Sequence, residues 1–267
     1  MAAPGLPEIH RAGAWASLDT CVQKARQPGQ TGPDLVTVAA EMTMKSKASL
    51  RKRPAARAAN GSPESRLTRE DWLTAALDAL VSDGVENVKV LTLAERLGVS
   101  RSSFYWFFRS REHLLDLLLQ QWRDSNTRGI VEWAAAPSAT VIEGVLNIFT
   151  CWMDETLFDP RLDFAVREWS RRSGHVRRAV DQADDARVEA IKRMFLRHGY
   201  RDQDAFIRAR VLYFMQIGYY SLDLEESLAT RLTYIADYLR AFTGREPTRR
   251  QVANFAKAYK RRPAVSQ

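Results

Sequence analysis

The chain has 267 residues and a formal net charge of +8, from 40 Lys and Arg against 32 Asp and Glu. Its 45% hydrophobic and 27% charged residues are ordinary for a globular protein and exclude a wholly disordered or collagen-like chain. No apolar run reaches the ~18–20 residues of a spanning helix, and no signal-peptide core is visible, so we expect a cytoplasmic protein outside the membrane. Two cysteines, Cys21 and Cys151, and four scattered histidines predict neither a disulfide framework nor a metal site.

The excess positive charge lies at the two ends of the chain. Residues 1–66 have a net charge of +5 and contain six of the ten prolines, and residues 245–267 have a net charge of +6. Residues 67–244 have a net charge of −3. The first segment lacks sustained apolar periodicity, so we predict a disordered basic extension over 1–66. We interpret 245–267 as a flexible basic tail.

From Leu67 onward, apolar residues recur every three to four positions, which predicts an all-α fold. Thr68 is a typical helix N-cap, and the acids Glu70 and Asp71 follow it in the first turn. The predicted helices run from Thr68 to Gly84, from Val90 to Leu97, from Ser100 onward, and over 114–133, 138–157, 160–172, 175–198, 203–222 and 226–243.

The second and third predicted helices have the pattern of a helix-turn-helix. Ala94 is small enough for two helices to cross closely, Gly98 can adopt the left-handed conformation of the turn, and Val99 fills the corner. Phe104 and Phe108 are four residues apart and are expected to face inward. The opposite face then presents Arg101, Ser102, Tyr105 and Trp106.

Solubility alone does not explain an outward face of Arg, Ser, Tyr and Trp, whereas the major groove of DNA does. Arg101 can pair with a guanine edge, and Tyr105 or Lys89 can contact phosphates. Plain helix packing is the alternative: Trp106 would then belong to the core, and Phe107 is expected to pack in either case.

The stretch Leu67–Leu115 resembles the DNA-binding domain of TetR-family transcriptional regulators. The matching residues are Leu67-Thr-Arg-Glu70, Ala75-Ala76, Gly84, Leu93-Ala94-Glu95, Leu97-Gly98-Val99-Ser100, Phe104-Tyr105-Trp106, Phe108, Arg111-Glu112 and Leu114-Leu115. The resemblance implies a helix-turn-helix domain at 67–115 and a helical ligand-binding and dimerisation domain at 116–244. It also implies a homodimer that reads a palindromic operator in double-stranded DNA and responds to a small-molecule effector.

The resemblance also assigns roles to individual residues. Base or groove contacts fall to Arg101, Ser102 and Ser103, and phosphate contacts to Tyr105, Trp106 and Arg111. The chain departs from the family at Phe107, where a polar aromatic residue is usual, and at Lys89, where a helix-capping Thr is common. The residues expected at the DNA surface are Lys89, Ser100, Arg101, Ser102, Ser103, Tyr105, Trp106 and Arg111.

The C-terminal half predicts less about chemistry. Six aromatic residues are candidates for an apolar effector cavity: Trp152, Phe164, Trp169, Phe195, Tyr213 and Tyr219. An aromatic stripe at helical spacing is more often plain core. Similarly, the arginine-rich segment Arg161–Arg178 either receives an acidic ligand or forms a solvated face.

These patterns predict a sequence-specific DNA-binding regulator, an effector-responsive repressor without catalytic residues or a cofactor. The alternative is a helical-bundle enzyme or ligand carrier that does not bind DNA. Against it, the sequence contains no nucleophile motif, no Glu-x-x-His pair and no phosphate-binding glycine loop.

Overall fold

The computed structural model describes residues 67–222, 224 and 226–260, so the predicted disordered extension over 1–66 lies outside the described residues. The described part is all-helical, as predicted. Its α-helices are α1 (Arg69–Asp83), α2 (Val90–Leu97), α3 (Arg111–Trp122), α4 (Arg128–Ala135), α5 (Val141–Trp152), α6 (Pro160–Ser170), α7 (Gly174–Arg197), α8 (Asp202–Ser221), α9 (Leu228–Thr233), α10 (Ile235–Thr243) and α11 (Arg249–Lys260). None of the helices in this part of the chain has the length and apolar character needed to cross a membrane.

The first three α-helices form a small unit around an aromatic centre. Thr68 caps α1 through a reciprocal pair of bonds, because its hydroxyl accepts from the Asp71 amide and its own amide donates to the Asp71 carboxylate. Trp72 of α1 meets Phe104 edge-on, with ring centroids 5.3 Å apart, and Phe104 stacks on Phe108 at 5.0 Å. All three side chains are at most 1% exposed. Their packing fixes the position of the segment before α3 relative to α1.

The long helix predicted over 114–133 is interrupted by one π-helical turn. α3 continues through the turn Arg123–Thr127 into α4. Within the turn, Asn126 is fully buried and pairs with the backbone of Asp159: its Nδ2 donates to the carbonyl at 2.7 Å, and its Oδ1 accepts from the amide at 3.1 Å. The turn is thereby tied to the loop before α6, and π turns often mark functional positions.

Two hydrophobic cores run through the described residues, and α7 belongs to both. The first joins the N-terminal unit to α6 and to the first half of α7, with Val166, Val176 and Ala183 among its members. The second unites α4, α5, α8, α10 and the second half of α7. Gly144 allows α5 to approach α7 closely, since a Cβ there would lie 2.6 Å from the Met194 sulfur.

The last part of the chain differs from expectation in two places. The helix predicted over 226–243 is two helices, α9 and α10, divided at Tyr234. The prediction of a flexible tail is wrong over 249–260, where α11 forms. Phe255 is 8% exposed within the second core, and the hydroxyl of Tyr259 donates to the carbonyl of Met153. The apolar face of α11 therefore anchors a segment whose other face is basic.

Candidate nucleic-acid interface and ligand pocket

A left-handed glycine turns the chain out of α2. Gly98 has φ 67° and ψ 34°, and its amide donates to the carbonyls of Ala94 and Glu95. The Val99 amide also donates to Ala94, at 3.0 Å. These hydrogen bonds satisfy carbonyl groups at the end of α2. The left-handed conformation of Gly98 then changes the direction of the chain after α2. The corner matches the predicted helix-turn-helix.

The segment Arg101–Trp106 after this corner, called here the recognition segment, is a 3₁₀ helix. Arg101 and Ser102 are exposed, and the exposed fractions of Tyr105 and Trp106 are 50% and 69%. Phe104 faces the core. Trp106 therefore does not belong to the core, and all four side chains that the sequence predicted to face outward are exposed.

Ser103 lies on the inner side of the recognition segment. It is 1% exposed, and its hydroxyl donates to the carbonyl of Ser100 at 2.7 Å. The predicted groove contact through its side chain is corrected accordingly, because the tight 3₁₀ turn places Ser103 beside Phe104. Ser100 and Ser102 remain exposed, and their hydroxyl oxygens lie 2.8 Å apart.

Arg111 holds the N-terminal unit together. Its Nε donates to the carbonyl of Val88 at 2.6 Å, and its Nη2 donates to the carbonyl of Val85 at 2.7 Å. The family resemblance implied a phosphate contact for Arg111, but its guanidinium binds the loop before α2 instead. It therefore acts as a positioning residue for that loop. Lys89, in the same loop, is exposed and forms no side-chain cap on α2, so its ammonium group faces solvent beside the helix.

The six effector candidates are not brought together. Trp152 and Tyr219 line one crevice, whereas Phe195 is fully buried in the second core and Phe164 is 45% exposed on α6. Trp169 packs in the first core. Tyr213 is engaged in a buried ionic network.

The crevice lined by Trp152 and Tyr219 is called here the α5–α8 crevice. Its α5 and α8 walls are Phe149, Trp152, Met153, Met215, Gln216 and Tyr219, and residues of α9 and α10 close it. The hydroxyl of Tyr219 donates to the Glu226 carboxylate at 2.7 Å. Burial and this carboxylate together raise the pKa of Tyr219 to about 12, so the phenol remains protonated at neutral pH. The crevice thus combines aromatic walls with a few polar groups, the usual composition of a small-molecule site.

A buried ionic network, which sequence reasoning missed, lies where α3, α6, α7 and α8 meet. Its centre is Asp163, which is 5% exposed. One carboxylate oxygen accepts from Trp122 Nε1 at 2.8 Å and from Arg187 Nη1 at 2.9 Å, and the other accepts from Arg167 Nε at 2.9 Å. Burial alone would raise the pKa of Asp163, but the two guanidinium groups and the indole hold it below its usual value.

The second half of the network balances the charge of the first. Arg167 donates to both oxygens of Asp184, at 2.9 and 2.6 Å. The Tyr213 hydroxyl donates to Asp184 at 2.6 Å and accepts from Arg187 at 2.9 Å. Two carboxylates thus face two guanidinium groups, and Tyr213 ties α8 to them. The spacings of Asp163 with Arg167 and of Asp184 with Arg187 were the visible sequence signals for these pairs.

Comparison with known proteins agrees with this architecture. Residues 73–118 match the family model of bacterial regulatory proteins, tetR family. The chain is 46% identical over 48 residues to the tetracycline repressor protein class A from transposon 1721 of Escherichia coli, covering 18% of this chain and 22% of that protein. It is 40% identical over 55 residues to the class C tetracycline repressor protein of the same organism, covering 21% and 25%. The matched segment therefore spans about a quarter of the length of these relatives.

A solved transcriptional regulator from Pseudomonas aeruginosa PAO1 shares the fold beyond the matched segment. It superimposes with a TM-score of 0.54 at 17% identity, over 74% of this chain and 97% of that one. Fold and surface together define a helix-turn-helix protein with a helical body. Over residues 73–118, the chain is similar to the bacterial regulatory proteins of the tetR family.

Proposed function

We propose that the chain is a sequence-specific DNA-binding transcriptional regulator, an effector-responsive repressor that acts in the cytoplasm as a homodimer on a palindromic operator. The observation that supports this most is the outward face of the recognition segment, set on a domain that matches the TetR family. An exposed Trp106 beside Tyr105 would be costly on a surface without a partner. Against a groove, both side chains lose water contact in return for contacts with sugar and phosphate.

The outward side chains have distinct roles in this proposal. Arg101, at the start of the recognition segment, enters the major groove and pairs with the O6 and N7 of a guanine. Ser102 lies next to it and adds a short hydrogen bond to a base or phosphate. Tyr105, Trp106 and Lys89 contact the phosphate backbone and fix the register of the segment. The fold supports this division because Trp72, Phe104, Phe108 and Trp122 are buried and Phe107 is partly buried against the first core.

An apolar face on α8 supports the homodimer. Ile207, Val211 and Phe214 follow one another at spacings of four and three residues, and are 50%, 51% and 45% exposed. The guanidinium of Arg210 lies 5.0 Å from the Phe214 ring centroid at the edge of this face. We assign the face to a second copy of the chain, since a palindromic site requires two recognition segments related by two-fold symmetry.

The response to an effector follows from the position of α8. One side of this helix lines the α5–α8 crevice, another presents the dimer face, and Tyr213 joins it to the ionic network that includes Trp122 of α3. A ligand that shifts α8 therefore acts on both the dimer and the helix that supports the recognition segment. The ligand must bind the DNA-incompetent state more tightly, since otherwise no equilibrium is shifted.

The test is retention of DNA from the region flanking the chain's own gene, in the presence of excess competitor DNA and over a series of salt concentrations. The proposal predicts sequence-specific retention that Arg101→Ala abolishes or weakens. Arg193→Ala is the matched control, because Arg193 is an exposed arginine in the second half of α7, ion-paired with Glu189. Equal retention of unrelated DNA, or turnover of a small molecule without DNA binding, would favour the enzyme or carrier alternative.

A further inference from the structure

Two buried side chains that line the α5–α8 crevice have hydrogen-bond donor protons that no described residue uses in full. Trp152 Nε1 forms no hydrogen bond within the described part of the chain, and Gln216 Nε2, which carries two protons, has the Tyr220 hydroxyl beside it. Trp152 is 3% exposed and Gln216 is 7% exposed, and both residues line the crevice. A buried donor proton without an acceptor is unfavourable, so an external acceptor would stabilise this arrangement.

Neighbouring polar groups are already engaged with one another. The Tyr220 hydroxyl, which lies beside the Gln216 amide, donates to the carbonyl of Trp152 at 2.7 Å. The carboxylate of Glu226 accepts from Tyr219. The crevice therefore offers a ligand two donors, and a ligand that pairs with them must supply acceptor oxygen atoms.

The remaining walls select the body of the ligand. Phe149 and Tyr238 present aromatic rings, and Arg231 lies over the Tyr219 ring with its guanidinium carbon 4.9 Å from the centroid. The crevice spans about 520 Å³ including its open mouth, of which about 50 Å³ is wide enough for water. Met153 and Met215 are unbranched and adaptable, so they can move apart for a flat ring. The positive charge of Arg231 favours an electron-rich or anionic oxygen.

We propose that the α5–α8 crevice binds a small planar aromatic molecule with a carbonyl or carboxylate oxygen, and that this oxygen accepts hydrogen bonds from Trp152 Nε1 and Gln216 Nε2. The inference rests on the proposed function, because it names the chemical class of the effector. Ligand entry separates α5 from α8. Since α8 also presents the dimer face, occupancy changes the relation between the two recognition segments.

Matched probes test the acceptor requirement directly. Acetophenone and benzoate each have an acceptor oxygen on a benzene ring, whereas ethylbenzene has a similar size and no acceptor. Their binding to the full-length chain is measured by isothermal titration calorimetry up to the solubility limit of each. We expect acetophenone or benzoate to bind at least about 10-fold more tightly than ethylbenzene, the effect of two neutral hydrogen bonds. Preference for benzoate over acetophenone identifies a carboxylate ligand.

Two substitutions assign the preference to the two donors. Gln216→Met replaces the amide with an apolar side chain of similar length, and Trp152→Phe keeps an aromatic ring without the indole N–H. Each substitution removes one donor. Each is expected to weaken binding of the acceptor probe about 3- to 10-fold and to leave ethylbenzene unchanged. Gln203→Met, at an exposed position of the same helix, is the control.

Equal binding of all three probes, binding of none, or insensitivity to both substitutions would overturn the assignment, with water then the partner of the two donors. The same probes are added to the complex with DNA. DNA binding without probe binding refutes the ligand assignment and leaves the regulator intact. Probe binding that follows the two donors, in a chain that retains no specific DNA, refutes the regulator and leaves the ligand assignment standing.

Discussion

Replacing Asp163 with asparagine removes one negative charge from the buried ionic network and keeps the size of the side chain. In the native chain its carboxylate accepts hydrogen bonds from Arg187, Arg167 and Trp122. Arg187 is fully buried, so it cannot exchange this partner for water. Its guanidinium also lies 5.0 Å from the Trp122 ring, which leaves it little freedom to move.

The expected loss follows from what remains around Arg187. Removing one partner of a buried ion pair costs about 3–5 kcal/mol. Asp184 stays 3.9 Å from Arg187 and the Tyr213 hydroxyl stays in hydrogen-bond contact, so we expect the lower end, about 3 kcal/mol. At roughly 2–4 °C per kcal/mol for a chain of this size, the melting temperature should fall by about 6–12 °C.

The substitution should also change the acid response. The pKa of Asp163 is lower in the folded state than its usual value, so its contribution to stability is complete above the unfolded pKa near about 4. The contribution is lost as the pH falls below that value and through the folded pKa. Asp163→Asn should therefore be less stable at pH 7 and lose less stability between about pH 5 and pH 3.

The assay is urea unfolding followed by circular dichroism at pH 7, pH 5 and pH 3. Asp181→Asn is the matched control, because Asp181 forms an exposed pair with Arg177 on the same helix as Arg187. Exposed pairs contribute little, so this variant should behave as the native chain does. Equal stability of the two variants at pH 7, or an unchanged acid slope for Asp163→Asn, would refute the reasoning about the network.

Three further outcomes are expected of the proposed regulator. Arg101→Ala should weaken operator binding by about 1–3 kcal/mol and relax preference at one base pair; a titration against operators changed at single positions checks this, and unchanged affinity and preference would contradict it. Val211→Asp places a charge in the centre of the α8 face, so sedimentation should show monomers with unchanged helix content, and a persisting dimer would rule out this face. Deleting residues 1–60 removes the basic run over 45–57 and should flatten the salt dependence of DNA binding while base preference is kept; an unchanged slope would show that the run is idle.

Local signals in the sequence were sufficient to predict the helix-turn-helix. Thr68 and Gly98 act through hydrogen bonds within a few residues, and Phe104 stacks on Phe108 four positions later, so residue type and spacing determine this local structure. Net charge was uninformative, since residues 67–115 contain six basic and seven acidic groups. The exposed side chains of the recognition segment were predictable because the inward-facing Phe104 and Phe108 could be recognised from the sequence.

The features that sequence reasoning missed depend on contacts between distant parts of the chain. Arg111 was assigned a phosphate contact because the sequence does not show that its guanidinium donates to the carbonyls of Val85 and Val88. Asp163 and Arg187 are 24 residues apart and meet only through helix packing. α11 was hidden by its basic composition, although Val252, Phe255 and Tyr259 already have the spacing of one helical face. The net charge of residues 245–267 does not distinguish the apolar face of α11 from its basic face.

We propose that the outward face of the recognition segment reads a DNA sequence. Selection from a random pool of double-stranded DNA with the full-length chain, compared with Arg101→Ala, tests it most directly. We expect the native chain to enrich one palindromic consensus, and the variant to lose base preference at the same symmetric position of both half-sites. No enriched consensus, or the same consensus from both proteins, would contradict it.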